Sequence, residues 1–253
     1  MEAERVRVQR EAEAEAEEAR IAELIRKARE EERMEGKSTG AVAPAPRVVI
    51  VTGGSRGIGA ATCVLLAERG YSVCVNYNRG AAEAAAVVDE ITAAGNRATA
   101  VQADVSVPAD VARLFAEAEA ALGRVSCLVN NAGIIGPRTG LGDGGDGEEL
   151  VRELEKVLRV NVHGPLLCCR EALRHMSTQA PVSGAGGAIV NISSGSAFIG
   201  SPLLYAMSKG ALNSMQSGLV KELAGHGIRV NSVSPGMTRT EMVTDEVGNI
   251  LGV

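Results

Sequence analysis

The stretch RVVIVTGGSRGIG, residues 47–59, decides the fold that this sequence predicts. Val48 to Val51 form a short apolar run that is typical of a buried strand. The glycines that follow predict a tight turn that leads directly into a helix beginning near Ile58. A strand, a glycine turn and a helix N-terminus together direct backbone N–H groups and the helix dipole at one point, which favours a phosphate group. The predicted ligand is a dinucleotide.

The composition indicates one large α/β domain that acts on a small molecule. The 253 residues are 45% hydrophobic but only 2% aromatic, without Trp, so the core is expected to consist of Val, Ala, Leu and Ile. The net charge of -5 and the lack of a clustered basic patch argue against a nucleic-acid partner. No apolar run reaches the roughly 20 residues of a membrane span. The acidic start resembles neither a secretory signal nor a transit peptide, so a cytoplasmic protein is expected.

The five cysteines are interpreted as small buried residues in a reducing compartment. They fall within predicted strands or helices and show neither C-x-x-C nor His/Cys ligand spacing. We therefore expect no metal site.

Residues 1–46 differ in composition from the rest of the chain. They are rich in Glu, Ala and Arg, which are strong helix formers, with one narrow apolar stripe between residues 21 and 28. A charged helix that is loosely docked or partly disordered is the preferred interpretation, and a partner-binding helix is the alternative. Residues 36–46 are predicted to be a linker by their Gly, Ser and Pro content. The main domain is therefore expected to cover residues 47–253.

From Arg47 onward, short β-branched runs alternate with helical stretches. The predicted strands are Val48 to Val51, Ser72 to Asn76, Ala98 to Gln102, Cys127 to Asn130, Ala188 to Ile192 and Arg229 to Val233. The predicted helices lie near Gly59 to Arg69, Ala81 to Ala94, Ala109 to Leu122, Glu148 to Met176 and Leu204 to Ala224. This alternation implies right-handed βαβ crossovers. The expected fold is α/β, a Rossmann-like doubly wound parallel sheet with helices on both faces and ligands at the carboxyl ends of its strands.

Several motifs occur in an order that narrows this interpretation. A glycine loop alone is weak evidence, because such turns often only connect a strand to a helix. The motifs are Thr52-Gly-Gly-Ser-Arg-Gly-Ile-Gly59, Asp104-Val105, Asn130-Asn131-Ala132-Gly133, Asn161, Ser194, Tyr205-Ala-Met-Ser-Lys209 and Ser234-Pro235-Gly236. Together they resemble the short-chain dehydrogenase/reductase family, in particular its sugar-alcohol or glucose dehydrogenase and 3-oxoacyl reductase type. The resemblance implies hydride transfer between a nicotinamide cofactor and a small secondary alcohol or ketone.

The resemblance implies four catalytic residues, Asn161, Ser194, Tyr205 and Lys209. Tyr205 and Lys209 are four apart on a predicted helix, so they share a face at about 5–6 Å. Tyr205 would be the general acid or base, with its pKa lowered toward neutrality by the Lys209 ammonium and the positive nicotinamide ring. Ser194 would hydrogen-bond the substrate oxygen, Lys209 would hold the nicotinamide ribose, and Asn161 would anchor a water that links Lys209 to solvent. Taken one at a time, these residues are better explained as a solvent-facing helix pair and a strand-end cap.

The resemblance also implies a cofactor site. Asp104 would contact the adenine with Val105 beside the ring, and Gly133 would let the backbone pass close to the adenosine ribose. A turn-forming Asn-Gly cluster is the alternative interpretation around Asn131. The predicted cofactor-binding residues are Thr52, Gly53, Ser55, Arg56, Gly57, Ile58, Gly59, Asn78, Arg79, Asp104, Val105, Asn131, Ala132, Gly133, Tyr205, Lys209, Pro235, Gly236 and Thr238.

The predicted second strand favours NADP(H) over NAD(H). An NAD-specific site normally has Asp or Glu at the end of this strand, where it accepts hydrogen bonds from the ribose 2′-OH. Here residues 73–79 read VCVNYNR and contain no acid. Arg56 and Arg79 are instead expected to approach a 2′-phosphate, for which a guanidinium fork is well suited.

Two features depart from the family pattern. Ser194 and Tyr205 are separated by GSAFIGSPLL, a couple of residues shorter than usual, which is expected to start the helix late or to displace Tyr205. The chain ends at Val253, without counterparts of the family's last helix and seventh strand. An exposed sheet edge and a less stable, aggregation-prone protein are then expected. The alternative function is a cofactor-binding but catalytically weak protein, or a truncated product of a reductase gene, with an interaction role for its N-terminal helix.

The family resemblance implies that the helices containing Asn161 and Tyr205 form a two-fold homodimer. The Tyr205 helix carries small residues that allow close approach. These are Gly210, Ala211, Ser214 and Gly218, accompanied by Leu212, Met215, Leu219 and Leu223, and by Leu166, Leu167, Cys169 and Leu173 on the preceding helix. The alternative is that these helices only face the sheet.

Overall fold

A six-stranded parallel sheet forms the centre of the domain. The computed structural model describes Glu23 and residues 47–137, 146–178, 186–238 and 240–242, so the predicted extension and linker lie outside the described residues apart from Glu23. The strands are β1 (Arg47–Val51), β2 (Tyr71–Tyr77), β3 (Ala98–Gln102), β4 (Val125–Asn130), β5 (Gly187–Ile192) and β6 (Ile228–Val233). They run in the order β3-β2-β1-β4-β5-β6, with every neighbouring pair parallel. The predicted Rossmann-like doubly wound sheet is confirmed.

Helices connect the strands and cover both faces of the sheet. Within the described ranges they are α1 (Gly57–Glu68), α2 (Ala81–Ala93), α3 (Pro108–Leu122), α4 (Gly147–Leu158), a π-helix (Arg159–His163), α5 (Gly164–Met176), α6 (Ser196–Ile199), α7 (Leu203–Leu223) and a 3₁₀ turn (Ala224–His226). The helical stretch predicted from Glu148 to Met176 is confirmed, and the π-helix is one turn within it. The short helix α6 lies in a segment that the sequence predicts to be a loop. None of these helices is long and apolar enough to cross a membrane.

The alternation of side chains along β1 builds two cores. Val48 and Ile50 point to one face and pack in a cluster with residues of α3 and α5. Val49 and Val51 point to the other face and pack with residues of α1 and α2. Because both faces are covered, the strand is apolar at every position from 48 to 51 instead of alternating with polar residues. Phe115 on α3 is the largest fully buried side chain among the described residues.

The reversal of strand order between β1 and β4 positions the candidate site. The chain proceeds from β1 outward to β3, returns to β4 on the other side of β1, and continues to β6. The loops that leave the carboxyl ends of β1 and β4 therefore diverge, and doubly wound sheets bind ligands in the crevice between such loops. The glycine turn, residues 52–56, follows β1 at this point.

Candidate active site

The glycine turn is fastened to both strands that flank β1. The Thr52 hydroxyl accepts hydrogen bonds from the backbone N–H groups of Asn131 (3.0 Å) and Ala132 (3.1 Å), which follow β4. On the other side, the N–H of Gly54 donates to the Asn76 carbonyl oxygen on β2 at 2.7 Å. The turn is therefore held rigidly at the edge of the crevice.

The N-terminus of α1 offers unpaired donors at this edge. Arg56 precedes the helix in extended backbone, no side chain caps the helix, and its first turn contains no acidic residue. The first N–H groups of a helix have no partner inside it, and the helix dipole makes this end electropositive. This donor set fits the pyrophosphate of a dinucleotide, which is the role predicted for Ser55, Gly57 and Ile58.

Gly59 lets α1 approach the turn closely. A Cβ atom at this position would lie 2.2 Å from the Gly53 carbonyl oxygen and 2.5 Å from Asn131 Nδ2. Asn131 Nδ2 donates to the carbonyl oxygens of Thr52 at 2.9 Å and Gly53 at 3.0 Å, so it cannot move without losing both bonds. The third glycine of the loop is therefore required for packing within the protein.

Gly59→Ala is expected to lower the free energy of unfolding by about 3 kcal/mol, because the added methyl group clashes with backbone. Urea denaturation measures this change. Gly225→Ala is the control, since an added Cβ there meets no atom within 4 Å, and a change below about 0.5 kcal/mol is expected. Equal effects of the two substitutions would contradict the close approach of α1.

Ser194 and Tyr205 lie together although the segment between them is short. Residues 196–199 of this segment form α6, and α7 begins at Leu203, so Tyr205 stands in the first turn of α7. The Ser194 hydroxyl acts to lower the pKa of Tyr205, so the two side chains lie close enough to interact. The expected late start of the helix is therefore wrong, because α6 takes up part of the segment, and the expected displacement of Tyr205 stays a prediction.

Lys209 is a buried ammonium group beside Tyr205. Only 3% of the residue is exposed. Its Nζ donates to the Ile192 carbonyl oxygen at 2.7 Å and lies 5.5 Å from the centre of the Tyr205 ring. A Cβ on Gly133 would lie 3.7 Å from the same Nζ, so the segment after β4 passes close to it. An ammonium carries three N–H groups, and the two that remain beside the Ile192 bond fit a ligand rich in hydroxyl groups, such as a ribose.

Burial controls the protonation of both side chains. It raises the pKa of Tyr205 above the ordinary value, and the interaction with Ser194 opposes this rise. Burial also lowers the pKa of Lys209 to about 8, because the charged form loses its hydration. In the chain by itself desolvation is the larger effect on Tyr205, and the lowering of its pKa by Lys209 together with the nicotinamide ring stays a prediction.

Asn161 lies in the π-helix and joins two parts of the site. Its Oδ1 accepts from the Ile134 N–H at 2.9 Å, and its Nδ2 donates to the Ile134 carbonyl oxygen at 2.8 Å. Nδ2 also donates to Ser208 Oγ at 2.9 Å, and Ser208 donates to the Tyr205 carbonyl oxygen at 2.7 Å. Asn161 thus ties the segment after β4 to the helix that carries Tyr205 and Lys209. The water that it would anchor stays a prediction.

Ser208 is a site residue that the sequence analysis missed. It is fully buried, and its hydroxyl links Asn161 to the backbone of α7. The sequence could have indicated Ser208, because it is a small polar residue next to Lys209 in a helix whose inward-facing positions are mostly apolar. Such a residue needs a buried hydrogen-bond partner.

Asn78 and Asp104 meet at the carboxyl ends of β2 and β3. Asn78 Nδ2 donates to Asp104 Oδ2 at 3.0 Å, and Asp104 Oδ1 accepts from the N–H and hydroxyl groups of Ser106. Val105 is buried in the core, where it packs against Gly164 on α5. Asp104 is thus held where a base could lie beside it, while the side chain of Val105 faces the core. Contacts of either residue with an adenine ring stay predictions.

The predicted residues after β6 lie beside Ser194. The Pro235 carbonyl oxygen accepts from the N–H of Gly195 at 3.0 Å. Gly236 and Thr238 are exposed and are joined by a hydrogen bond from Thr238 Oγ1 to the Gly236 carbonyl oxygen. The segment after β6 therefore borders the crevice on the side of the catalytic residues.

Arg56 and Arg79 are both exposed at the carboxyl end of β2. Arg56 Nη2 would lie 3.5 Å from a Cβ on Gly80, the residue that follows Arg79. Arg56 Nη1 pairs with Glu241 Oε2 at 2.7 Å. One of the two predicted guanidinium groups, that of Arg56, is therefore already bound to a carboxylate, and contacts of either arginine with a ribose phosphate stay predictions.

The comparison with known proteins agrees with this geometry. The family model for short chain dehydrogenases matches residues 47–249. The chain is 44% identical over 199 residues to an uncharacterized oxidoreductase, YgfF, of Escherichia coli, covering 77% of each chain. It is 39% identical to an NADPH-dependent aldehyde reductase-like chloroplastic protein of Arabidopsis thaliana, covering 79% of this chain and 76% of that protein.

Solved structures show the same architecture. A dehydrogenase/reductase from Sinorhizobium meliloti superposes with a TM-score of 0.70 at 36% identity, covering 81% of this chain and 79% of that one. A short-chain dehydrogenase/reductase variant from Serratia marcescens gives a TM-score of 0.71 at 34% identity, with 82% of each chain covered. The chain belongs to the short-chain dehydrogenase family and is an NAD(P)-dependent oxidoreductase.

Proposed function

We propose that the protein interconverts a secondary alcohol and a ketone with NADP(H) as its cofactor. The observation that carries this proposal is the meeting of Ser194, Tyr205 and Lys209 at the carboxyl end of the sheet, with the open N-terminus of α1 at the same edge. The relative named an NADPH-dependent aldehyde reductase-like protein supports the choice of cofactor and a carbonyl substrate.

Each catalytic side chain has a defined part in carbonyl reduction. Bound NADPH supplies the hydride. The Tyr205 hydroxyl, protonated at neutral pH, donates the proton to the substrate oxygen. Ser194 Oγ accepts from the Ser196 N–H at 3.1 Å, which leaves its own hydrogen to bind the substrate oxygen. Lys209 holds the nicotinamide ribose and stabilises the phenolate that Tyr205 becomes.

The cofactor preference rests on the basic residues after β1 and β2. Arg56 and Arg79 bring two guanidinium groups to the carboxyl end of β2, and the strand ends in Tyr77 without an acid that would bind a ribose 2′-OH. A guanidinium binds a phosphate in a bidentate manner. The 2′-phosphate of NADP(H) is therefore the group that this end of the site is suited to hold.

The experiment that tests the proposal combines binding and turnover. NADPH and NADH are titrated separately while the reduced nicotinamide fluorescence is followed, which is convenient because the chain has no Trp. NADPH oxidation is then measured with a panel of ketones, aldehydes and sugars. We expect NADPH to bind tighter than NADH and at least one carbonyl to be reduced. Tighter binding of NADH would overturn the cofactor assignment, and no turnover with any carbonyl would overturn the reaction.

We also propose a homodimer through the helices that carry Asn161 and Tyr205. The predicted large apolar residues Leu212, Leu219, Leu223 and Cys169 are buried in the core of the subunit, so for them the alternative of facing the sheet is correct. The outer face of α7 instead exposes Met207, Ala211, Ser214 and Gly218, which form one stripe at helical spacing. Leu166 on α5, 49% exposed, and Val151 on α4, 54% exposed, are further apolar groups for the interface.

The dimer is expected to dissociate in Ala211→Arg, because a charged side chain in the stripe of small residues prevents close helix approach. Sedimentation velocity measures the change, with a dimer expected for the wild-type protein. Arg229→Ala, at an exposed position on β6, is the control and is expected to stay dimeric. A wild-type monomer, or an Ala211→Arg dimer, would contradict this interface.

A further inference from the structure

One ion pair connects the glycine turn to a residue 185 positions later in the sequence. Arg56 Nη1 donates to Glu241 Oε2 at 2.7 Å, and the two side chains are 48% and 67% exposed. The residue before Glu241 lies near the first residue of α1, since Thr240 Cγ2 would lie 3.2 Å from a Cβ built on Gly57. Glu241 is thus held beside the glycine turn by its bond to Arg56.

The guanidinium of Arg56 lies between two carboxylates at the carboxyl end of β2. Its Nη2 would be 3.5 Å from a Cβ on Gly80, and Glu83 Oε2 would be 2.9 Å from the same point. Glu83 acts on Arg56 only through its charge, whereas Glu241 is hydrogen-bonded to it. In doubly wound folds, this end of the second strand receives the 2′ position of the adenosine ribose.

We propose that Glu241 is a cofactor-selectivity residue that competes with a 2′-phosphate for Arg56. The inference rests on the proposed binding of NADP(H). Carboxylate and phosphate oxygens bind the same guanidinium fork, and a second anion beside Glu241 is repelled by it. Glu241 therefore weakens the binding of nucleotides that carry a 2′-phosphate and leaves the binding of nucleotides with a free 2′-OH unchanged. β2 ends without an acid at its last residues, and Glu241 adds a negative charge that is hydrogen-bonded to Arg56 beside this end of the strand.

Calorimetric titration with 2′,5′-ADP and with 5′-AMP tests this competition without turnover. Glu241→Gln is expected to bind 2′,5′-ADP about fivefold tighter than wild type at low ionic strength, since exposed ion pairs have effects of this order. Its affinity for 5′-AMP is expected to stay the same. The gain is expected to shrink at high salt, which screens exposed charges.

Two further variants separate the ion pair from a general charge effect. Glu83→Gln removes a negative charge near Arg56 that is not hydrogen-bonded to Arg56. The affinity of this variant for 2′,5′-ADP is expected to rise by less than about twofold, because exposed charges interact weakly. The double variant Arg56→Gln with Glu241→Gln is expected to bind 2′,5′-ADP no tighter than Arg56→Gln alone. An unchanged or weaker affinity of Glu241→Gln for 2′,5′-ADP, an equal gain in Glu83→Gln, or a gain that persists without Arg56 overturns the inference.

Failure of the NADP(H) assignment and failure of the Glu241 role give different experimental results. If wild type binds NADH tighter than NADPH, the NADP(H) assignment fails. If wild type prefers NADPH and Arg56→Gln loses that preference while Glu241→Gln matches wild type, only the role of Glu241 fails.

Discussion

Tyr205→Phe is expected to lower kcat for carbonyl reduction by about a thousandfold, because it removes the general acid and nothing else of comparable size. Phenylalanine keeps the ring beside Lys209, where Nζ lies 5.5 Å from the ring centre. The hydroxyl that interacts with Ser194 is lost. NADPH affinity is expected to stay within about twofold of wild type, since the phosphate and ribose contacts assigned to the rest of the site remain.

Steady-state rates with the best carbonyl of the panel and NADPH titration measure the two quantities. Tyr71→Phe is the matched control, because Tyr71 lies at the start of β2, at the opposite end of the strand from the site, where its ring packs under Arg47. The same loss of a phenolic hydroxyl is expected to leave kcat unchanged there. Equal rates of Tyr205→Phe and wild type would remove the catalytic role of Tyr205.

The sheet is predictable from sequence because local pattern and global fold agree in it. β3 has the predicted bounds, and the other strands differ from the prediction by one or two residues at their ends. Strands covered on both faces are continuous apolar runs bounded by turns, and residues 48–51 are such a run. The glycine turn that follows this run then marks the carboxyl ends of the strands as the ligand side of the sheet.

What was missed depends on contacts between distant residues or on backbone geometry without a periodic signal. The π-helix that holds Asn161 leaves the apolar pattern of the surrounding helix nearly unchanged, so periodicity predicts one helix. The pairing of Arg56 with Glu241 spans 185 residues, beyond any local pattern. The direction of the Tyr205 pKa depends on burial, which spacing along a helix does not give.

Lys209→Met is expected to lower kcat/KM for carbonyl reduction by about a hundredfold, through loss of ribose binding and of phenolate stabilisation. The variant is also expected to differ from wild type in how kcat/KM depends on pH. The pKa of Lys209 is lowered to about 8, whereas that of Tyr205 is raised. As pH rises through about 8, wild type is therefore expected to lose kcat/KM because Lys209 releases its proton while Tyr205 keeps its own. The variant is expected to show no decline there.

The same substitution is expected to change the pH dependence of stability, and the sign follows from the lowered pKa. The ordinary value for a lysine is 10.5 and the folded value is about 8. Below both values the folded state bears the full cost of burying the charge. Between them the folded state has released its proton while the unfolded state holds one, so the free energy of unfolding rises with pH, by about 3 kcal/mol over the window.

Methionine at position 209 has no proton to release, so urea denaturation of the variant is expected to lack this rise. Between about pH 7 and about pH 9.5 the wild-type free energy of unfolding should gain roughly 2 kcal/mol on that of Lys209→Met. Lys221→Met, on an exposed part of the same helix, is the control and should follow wild type. Parallel curves for wild type and Lys209→Met would mean that the ammonium is not desolvated. A buried charge that costs stability at neutral pH while its removal lowers kcat/KM about a hundredfold is retained for catalysis, because a methionine at this position would avoid the cost of burying the charge.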